Sequence, residues 1–256
     1  MEPKTVRELV MTRVEQETGR PVNVKQDRSL TLLSAVQVAR GPHPMHTIRY
    51  NPATIAEPDY VICYQCGFIL RLFANPPTAR FDLAATKAGG AEMDRLASKG
   101  PLNMLPAAAA RQLRESWLNG ILTQLRSYPI GLRVDAWIAE EFPSLKTQQF
   151  ASATWQLQQN LAVLRPEVAQ LTAEKIYRAS VGMNAALAAY WAETVGQPQL
   201  TLPYRATKYL GLAEQLLEIW RTIPKEPSHD QELVDAWAER LGMKGWYAWM
   251  PYPETA

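Results

Sequence analysis

Apolar positions repeat at helical spacing near the start of the chain. Thr5 and Glu8 form a capping-box pattern, and Val10 and Val14 follow one helical turn apart until Gly19 interrupts the run. A threonine that caps the first turn, with a glutamate three positions later, is typical of a helix start. The pattern therefore predicts that the chain opens with a helix that ends at Gly19.

The pattern then changes to short β-prone stretches and one long apolar run. The stretches at 22–25, 32–40 and 47–50 are separated by prolines and a glycine, which indicates a small antiparallel sheet. The run YVICYQCGFILRLF follows and contains no proline before Pro76. Its length favours a buried helix, although its periodicity does not exclude a strand.

The second half of the chain has helical periodicity almost throughout. Residues 78–106 contain several glycines and prolines and are interpreted as a connector with a short helix near 91–98. Beyond it, the predicted helices are 107–127, 132–141, 145–164, 167–195, 204–223 and 229–241. We therefore predict an α+β, predominantly helical protein with an α+β region at 1–105, in which a small sheet precedes a buried helix, and a helical bundle domain at 106–256.

Composition and charge narrow the classes of function. The apolar fraction of 47% and the charged fraction of 20% are typical of a folded globular protein. A net charge of +2 with scattered Lys and Arg does not favour nucleic-acid binding. No apolar run approaches the length of a membrane span, and the N-terminal residues contain no continuous apolar core of a signal peptide. The two cysteines lie too close together to staple a fold. We expect a cytoplasmic protein without nucleic-acid or membrane partners.

One segment carries the candidate chemistry. A β-prone stretch from His46 to Tyr50 precedes a loop and the apolar run, in which Tyr64, Gln65 and Phe68 have the spacing i, i+1 and i+4. This order resembles the core of zincin metallopeptidases, where an edge strand precedes the HExxH helix. In such enzymes two histidines at i and i+4 bind zinc and the glutamate activates the metal-bound water. Tyr64-Gln65-Cys66-Gly67-Phe68 stands in place of HExxH here.

The resemblance implies a scaffold without its catalytic side chains. Phe68 has no lone pair for a metal, and the amide of Gln65 does not accept a proton from water near neutral pH. The resemblance therefore implies that the region 1–105 is a catalytically inactive, zincin-like scaffold with no cofactor. It favours binding of a peptide or protein partner by strand addition along an edge strand at His46–Tyr50. The candidate residues of the binding cleft are His46, Ile48, Tyr50, Tyr64, Gln65, Phe68 and Arg71.

Two cysteines and two histidines leave other interpretations open. His43, His46, Cys63 and Cys66 form an HxxH and CxxC set with the spacing of a structural zinc site, which predicts a zinc-stabilised structural or regulatory protein as the alternative. A CxxC pair also occurs in redox sites, and free cysteines are commonly buried as structural thiols. An active hydrolase would need ligands from scattered residues, such as Asp135, Glu140, Glu141 or His229.

Overall fold

A computed structural model describes residues 5–41, 43–98 and 106–252. The chain folds into two compact units. The first unit comprises the described residues up to Asp82, the segment 133–154 and the described residues from Pro251 onward. The second comprises the described residues of 83–132 and 155–250. The units are therefore not two consecutive segments, since 133–154 belongs with the N-terminal residues.

The first unit opens with helix α1, Val6–Thr18, which forms as its capping box predicts. The Thr5 hydroxyl accepts a hydrogen bond from the Glu8 amide at 3.3 Å, and the Glu8 carboxylate accepts one from the Thr5 amide at 2.8 Å. Gly19 ends the helix with a φ of 65°, a left-handed conformation that glycine adopts without steric cost. The predicted bounds of this helix are confirmed.

Three short strands follow in the first unit: β1, Val22–Gln26, β2, Ser34–Gln37, and β3, His46–Tyr50. Their order in the sheet is β1-β3-β2. Strand β3 pairs with β1 in parallel and with β2 in antiparallel orientation. The sheet is therefore mixed, and β3 is its central strand, whereas the sequence predicted an antiparallel sheet.

The apolar run forms helix α2, Asp59–Phe73, in the core of the first unit. Nine of its fifteen residues are buried, which agrees with its nearly continuous apolar sequence. Gly67 allows the closest approach, because a Cβ at this position would lie 2.4 Å from Cγ1 of Val134 and 3.4 Å from the Trp137 ring. The predicted buried helix is confirmed, and Gly67 is required for its packing against residues 134–137.

Most of the remaining elements are helices. In chain order they are α3, Lys87–Ala97, α4, Ala107–Glu141, α5, Lys146–Asn160, α6, Pro166–Leu171, α7, Glu174–Val195, α8, Leu202–Arg205, α9, Leu210–Thr222, and α10, Asp230–Leu241. The fold class, α+β and predominantly helical, is confirmed. The predicted break between 127 and 132 is wrong, because α4 continues through Pro129 at the cost of one backbone hydrogen bond.

Two strands lie where the sequence indicated none. Strand β4, Phe81–Ala85, falls in the predicted connector, and β5, Tyr247–Pro251, falls in the aromatic C-terminal segment. They pair as a two-stranded sheet, and at one end the Thr86 amide donates a hydrogen bond to the Trp246 carbonyl at 3.0 Å. In the described part of the predicted connector, 78–98, the sequence therefore missed β4, whereas α3 lies where a short helix near 91–98 was predicted.

Candidate functional site

Two of the positions that resemble the HExxH motif, Tyr64 and Phe68, lie on the accessible side of α2. Tyr64, Phe68 and Arg71 are half-buried, whereas Cys63, Gln65 and the other central residues of the helix are buried. The spacing of i, i+4 and i+7 places these three residues on one helical face. The interior helix α2 therefore exposes one stripe, which we define as Tyr64, Phe68 and Arg71.

Aromatic contacts hold this stripe in place. The Tyr64 ring lies 5.2 Å from the Phe68 ring in an edge-to-face arrangement and 5.9 Å from the ring of Tyr60. Such contacts add roughly 0.5–1.5 kcal/mol to the energy of burial. Tyr64 and Phe68 therefore provide a preorganised apolar surface on α2.

Gln65 links α2 to the sheet. Its amide nitrogen donates a hydrogen bond to the Ser34 hydroxyl of β2 at 2.9 Å, and the residue is only 9% exposed. Gln65 is therefore a buried neutral amide that contacts strand β2. Sequence reasoning missed Ser34, because a single serine in a β-prone stretch carries no signal of a partner 31 residues away.

The outer edge of β2 offers backbone groups for strand pairing. The Asn51 amide donates a hydrogen bond to the Leu33 carbonyl at 3.0 Å, so Leu33 and Asn51 form a hydrogen-bonded pair. In an antiparallel ladder only every second pair is hydrogen-bonded, so Ser34 and Val36 of β2 belong to the pairs that are not. The N–H and C=O groups of Ser34 and Val36 consequently point away from β3. In the part of the chain that the structure describes, no backbone or side-chain group bonds to these four groups.

The predicted strand at His46–Tyr50 is present as β3, but the prediction that it lies at the edge of the sheet is wrong. Strand β3 pairs on both sides, so it has no free edge. His46 and Ile48 are completely buried and face the core of the first unit. Tyr50 is half-buried, and its hydroxyl accepts a hydrogen bond from Gln26 at 3.0 Å. Of the seven cleft candidates, only Tyr64, Phe68 and Arg71 combine accessibility with a common face.

The structure does not bring the alternative zinc ligands together. His43 is exposed, whereas Nδ1 of buried His46 accepts a hydrogen bond from the Ala39 amide at 3.0 Å. The other ring nitrogen of His46 lies 3.1 Å from the Thr18 hydroxyl. No group of three or more metal-ligating side chains of His, Cys, Asp or Glu occurs among the described residues.

The two thiols are part of the apolar core. Cys63 and Cys66 are fully buried in the cluster that α2 forms with its neighbours. Burial raises the pKa of the Cys63 thiol to about 12, and it raises the pKa of Cys66 as well. The thiolate is the form that binds metals and attacks disulfides, so burial suppresses both reactions.

A buried carboxyl contacts α2 through Tyr60. Oδ1 of Asp135 in α4 accepts hydrogen bonds from the Tyr60 hydroxyl at 2.5 Å and from Gln149 Nε2 at 3.2 Å. Desolvation raises the pKa of Asp135 to about 7, although both hydrogen bonds lower it. Among the scattered candidates for a hydrolase, only Asp135 is buried. Sequence reasoning missed its partner Tyr60.

Comparison of the chain with models of protein families, with curated proteins and with solved structures found no match. No helix in the described ranges combines the length and the apolar character that a membrane span requires.

Proposed function

We propose that the protein binds an extended peptide segment without cleaving it. In this proposal the segment pairs with the outer edge of β2, and its side chains contact the stripe of Tyr64, Phe68 and Arg71 on α2. Zincin metallopeptidases, which the chain resembles in the order of strand and helix, receive extended substrates on an edge strand. The edge proposed here is β2 instead of β3.

The free edge of β2 is the observation that carries the proposal. The N–H and C=O groups of Ser34 and Val36 point outward, and no described group bonds to them. Backbone hydrogen bonds give affinity in strand addition, and pockets for alternate side chains give specificity. The hydrogen bond between Ser34 and Gln65 places the edge next to α2, so one ligand could contact both.

The side chains at the motif positions support binding over hydrolysis. Gln65 is neutral and already donates to Ser34, so it does not act as a general base. Tyr64 and Phe68 present aromatic rings, which are enriched at peptide interfaces because they bury a large area with few rotatable bonds. We therefore propose a zincin-like scaffold whose motif positions serve recognition.

A pair of proline substitutions tests the proposal. Val36 of β2 and Val24 of β1 both pair with Ile48 and lie on opposite sides of β3 within the sheet. The register directs the N–H group of each valine away from β3. Proline at either position leaves the bonds to β3 intact, but it removes one outward donor. Val36→Pro removes it from the proposed binding edge, whereas Val24→Pro is the matched control.

The experiment begins with peptides selected from a random display library on the purified wild-type chain. We expect Val36→Pro to weaken the selected peptides by roughly tenfold or more, because a hydrogen bond is lost and the ring obstructs pairing. Val24→Pro should retain wild-type affinity, and Phe68→Ala should weaken binding. Equal affinity for wild type and Val36→Pro, or failure to select any peptide, would overturn the proposal.

A further inference from the structure

The second unit contains a basic cavity unrelated to the α2 stripe. Its volume is about 460 Å³, which lies within the range of small-molecule sites. Residues of α7, of the segment before α9, and of α9 and α10 contribute to it. No sequence pattern unites these residues, because they are spread from 174 to 240.

Positive charge predominates in this cavity. Its ionisable lining residues include the cations Arg178, Lys208 and Arg240 and the anion Glu174. Glu174 accepts hydrogen bonds from Lys208 and from the Tyr209 hydroxyl, both at 2.8 Å. These partners hold the pKa of Glu174 below its usual value, so the carboxylate is charged near neutral pH. Lys208 therefore forms an ion pair within the cavity, and the charge of Arg178 also lowers the pKa of Glu174.

The two arginines retain donors for a ligand. Arg178 donates no hydrogen bond to any residue of the described chain. Arg240 donates through Nε and a terminal nitrogen to Gln215 Oε1, a neutral acceptor. Two guanidinium groups therefore line one cavity, and neither forms an ion pair with a described carboxylate. Guanidinium groups bind phosphate and carboxylate oxygens bidentately.

We propose that this cavity binds a small molecule that carries a phosphate monoester. Arg178 and Arg240 would donate to the phosphate oxygens, and the ammonium of Lys208 would contribute charge from the side of Glu174. Two guanidinium groups and an ammonium favour a dianion over a singly charged carboxylate. The buried side chains of Leu212 and Tyr209 supply an apolar wall for the remainder of the ligand.

Calorimetric titration of the full chain tests this site. Phenyl phosphate serves as the probe, inorganic phosphate tests whether the apolar wall contributes, and benzoate tests the preference for a dianion. We expect saturable binding of phenyl phosphate that is tighter than that of either comparison ligand. Affinity should fall as salt rises, because exposed cations are screened. Absence of saturation by phenyl phosphate, or tighter binding of benzoate, would overturn the proposal.

Three variants distinguish the site from general attraction of anions. The double variant Arg178→Gln with Arg240→Gln should bind phenyl phosphate at least about tenfold more weakly, since two charge-assisted interactions are lost. Glu174→Gln should bind severalfold more tightly, because it removes the repelling carboxylate and releases Lys208. Arg165→Gln, an exposed arginine outside the cavity, is the matched control.

The pattern across these variants decides the proposal. A loss of binding in the double variant, a gain in Glu174→Gln and no change in Arg165→Gln would support it. Equal affinities in wild type and the double variant, or an equal loss in Arg165→Gln, would overturn it. The thermal midpoint of each variant is measured in parallel, and Glu174→Gln guards against misfolding as an explanation, because unfolding does not increase affinity.

Discussion

The two units bury their polar side chains in different ways. The first unit encloses two ionisable groups that titrate near neutral pH or below, Asp135 and His46, which are 4% and 0% exposed. The second encloses a network of amides and a phenol, in which Asn184 Oδ1 accepts hydrogen bonds from Gln124 at 2.5 Å and from Tyr128 at 3.2 Å. Burial raises the pKa of Tyr128, so it stays neutral. Stability should therefore respond to pH differently in the two units.

The two ionisable groups oppose each other. Desolvation raises the pKa of Asp135 from 3.8 to about 7, so its contribution to stability is full below pH 3.8 and is lost as pH rises to about 7. Desolvation, and then the charge of Arg20, lower the pKa of His46 from 6.5 to about 4. Its contribution is full above pH 6.5 and is lost as pH falls to about 4. Between about pH 4 and 6.5 the contributions of Asp135 and His46 change in opposite directions and cancel.

Substitution of Asp135 should have the largest effect. In Asp135→Asn the amide oxygen still accepts from Tyr60 and Gln149, but no charge is buried at neutral pH. We expect the free energy of unfolding at about pH 7.5 to rise by roughly 1–3 kcal/mol, less than the full pKa shift because the new amide nitrogen needs a partner. Urea-induced unfolding at several pH values measures this change.

The pH profile of Asp135→Asn provides the control. Near pH 4 the Asp135 carboxyl of the wild type is neutral in the folded state, so the stabilisation should disappear. Between about pH 4 and 6.5 the variant should become more stable as pH rises, because the contribution of His46 is no longer cancelled. A variant that is destabilised equally at every pH would show that the Asp135 carboxyl is not held in its neutral form.

Substitution of His46 should give a change of stability with pH that is opposite in sign to that of Asp135→Asn. In His46→Gln the charge change disappears, so stability should fall by roughly 2 kcal/mol from about pH 4 to 6.5 as Asp135 alone responds. Lost hydrogen bonds to Ala39 and Thr18 lower stability at every pH and do not alter the slope. The same unfolding experiment on the double variant should give a flat profile. A slope in the double variant would assign the effect to other groups.

The features that sequence predicted correctly are those that depend on neighbouring residues. The capping box of Thr5 and Glu8 and the stop at Gly19 lie within a few helical turns of what they control. The buried helix α2 is indicated by a continuous apolar run. Its exposed stripe follows from the spacing of Tyr64 and Phe68, so the α2 side of the candidate site could be predicted from sequence.

The features that sequence missed depend on pairing between distant segments. The order β1-β3-β2 places β3 in the centre, although its sequence is equally suited to an edge. Strands β4 and β5 have five residues each and lie far apart in the chain, so neither is recognisable alone. Tyr60 and Asp135 are 75 residues apart. The interior of α4 tolerates Pro129 although local rules predict a break.

The smallest effect on stability is expected when an ionisable group is introduced into the buried network of the second unit. Asn184→Asp keeps the shape of the side chain and the acceptor for Gln124 and Tyr128, but it buries a carboxyl in a 4% exposed position. Desolvation should raise the pKa of this carboxyl, so stability should fall by roughly 1–2 kcal/mol as pH rises from about 4 to 7. The hydrogen bonds from Gln124 and Tyr128 limit this loss of stability, because they stabilise the carboxylate.

Urea-induced unfolding at several pH values measures the loss of stability. Asn184→Leu is the control, because it lacks the hydrogen bonds to Gln124 and Tyr128 at every pH and introduces no ionisable group. If the stability of Asn184→Asp did not change with pH, the second unit would accommodate a buried charge at this position. The two units would then differ in how well they solvate a charge, and not only in which residues they bury.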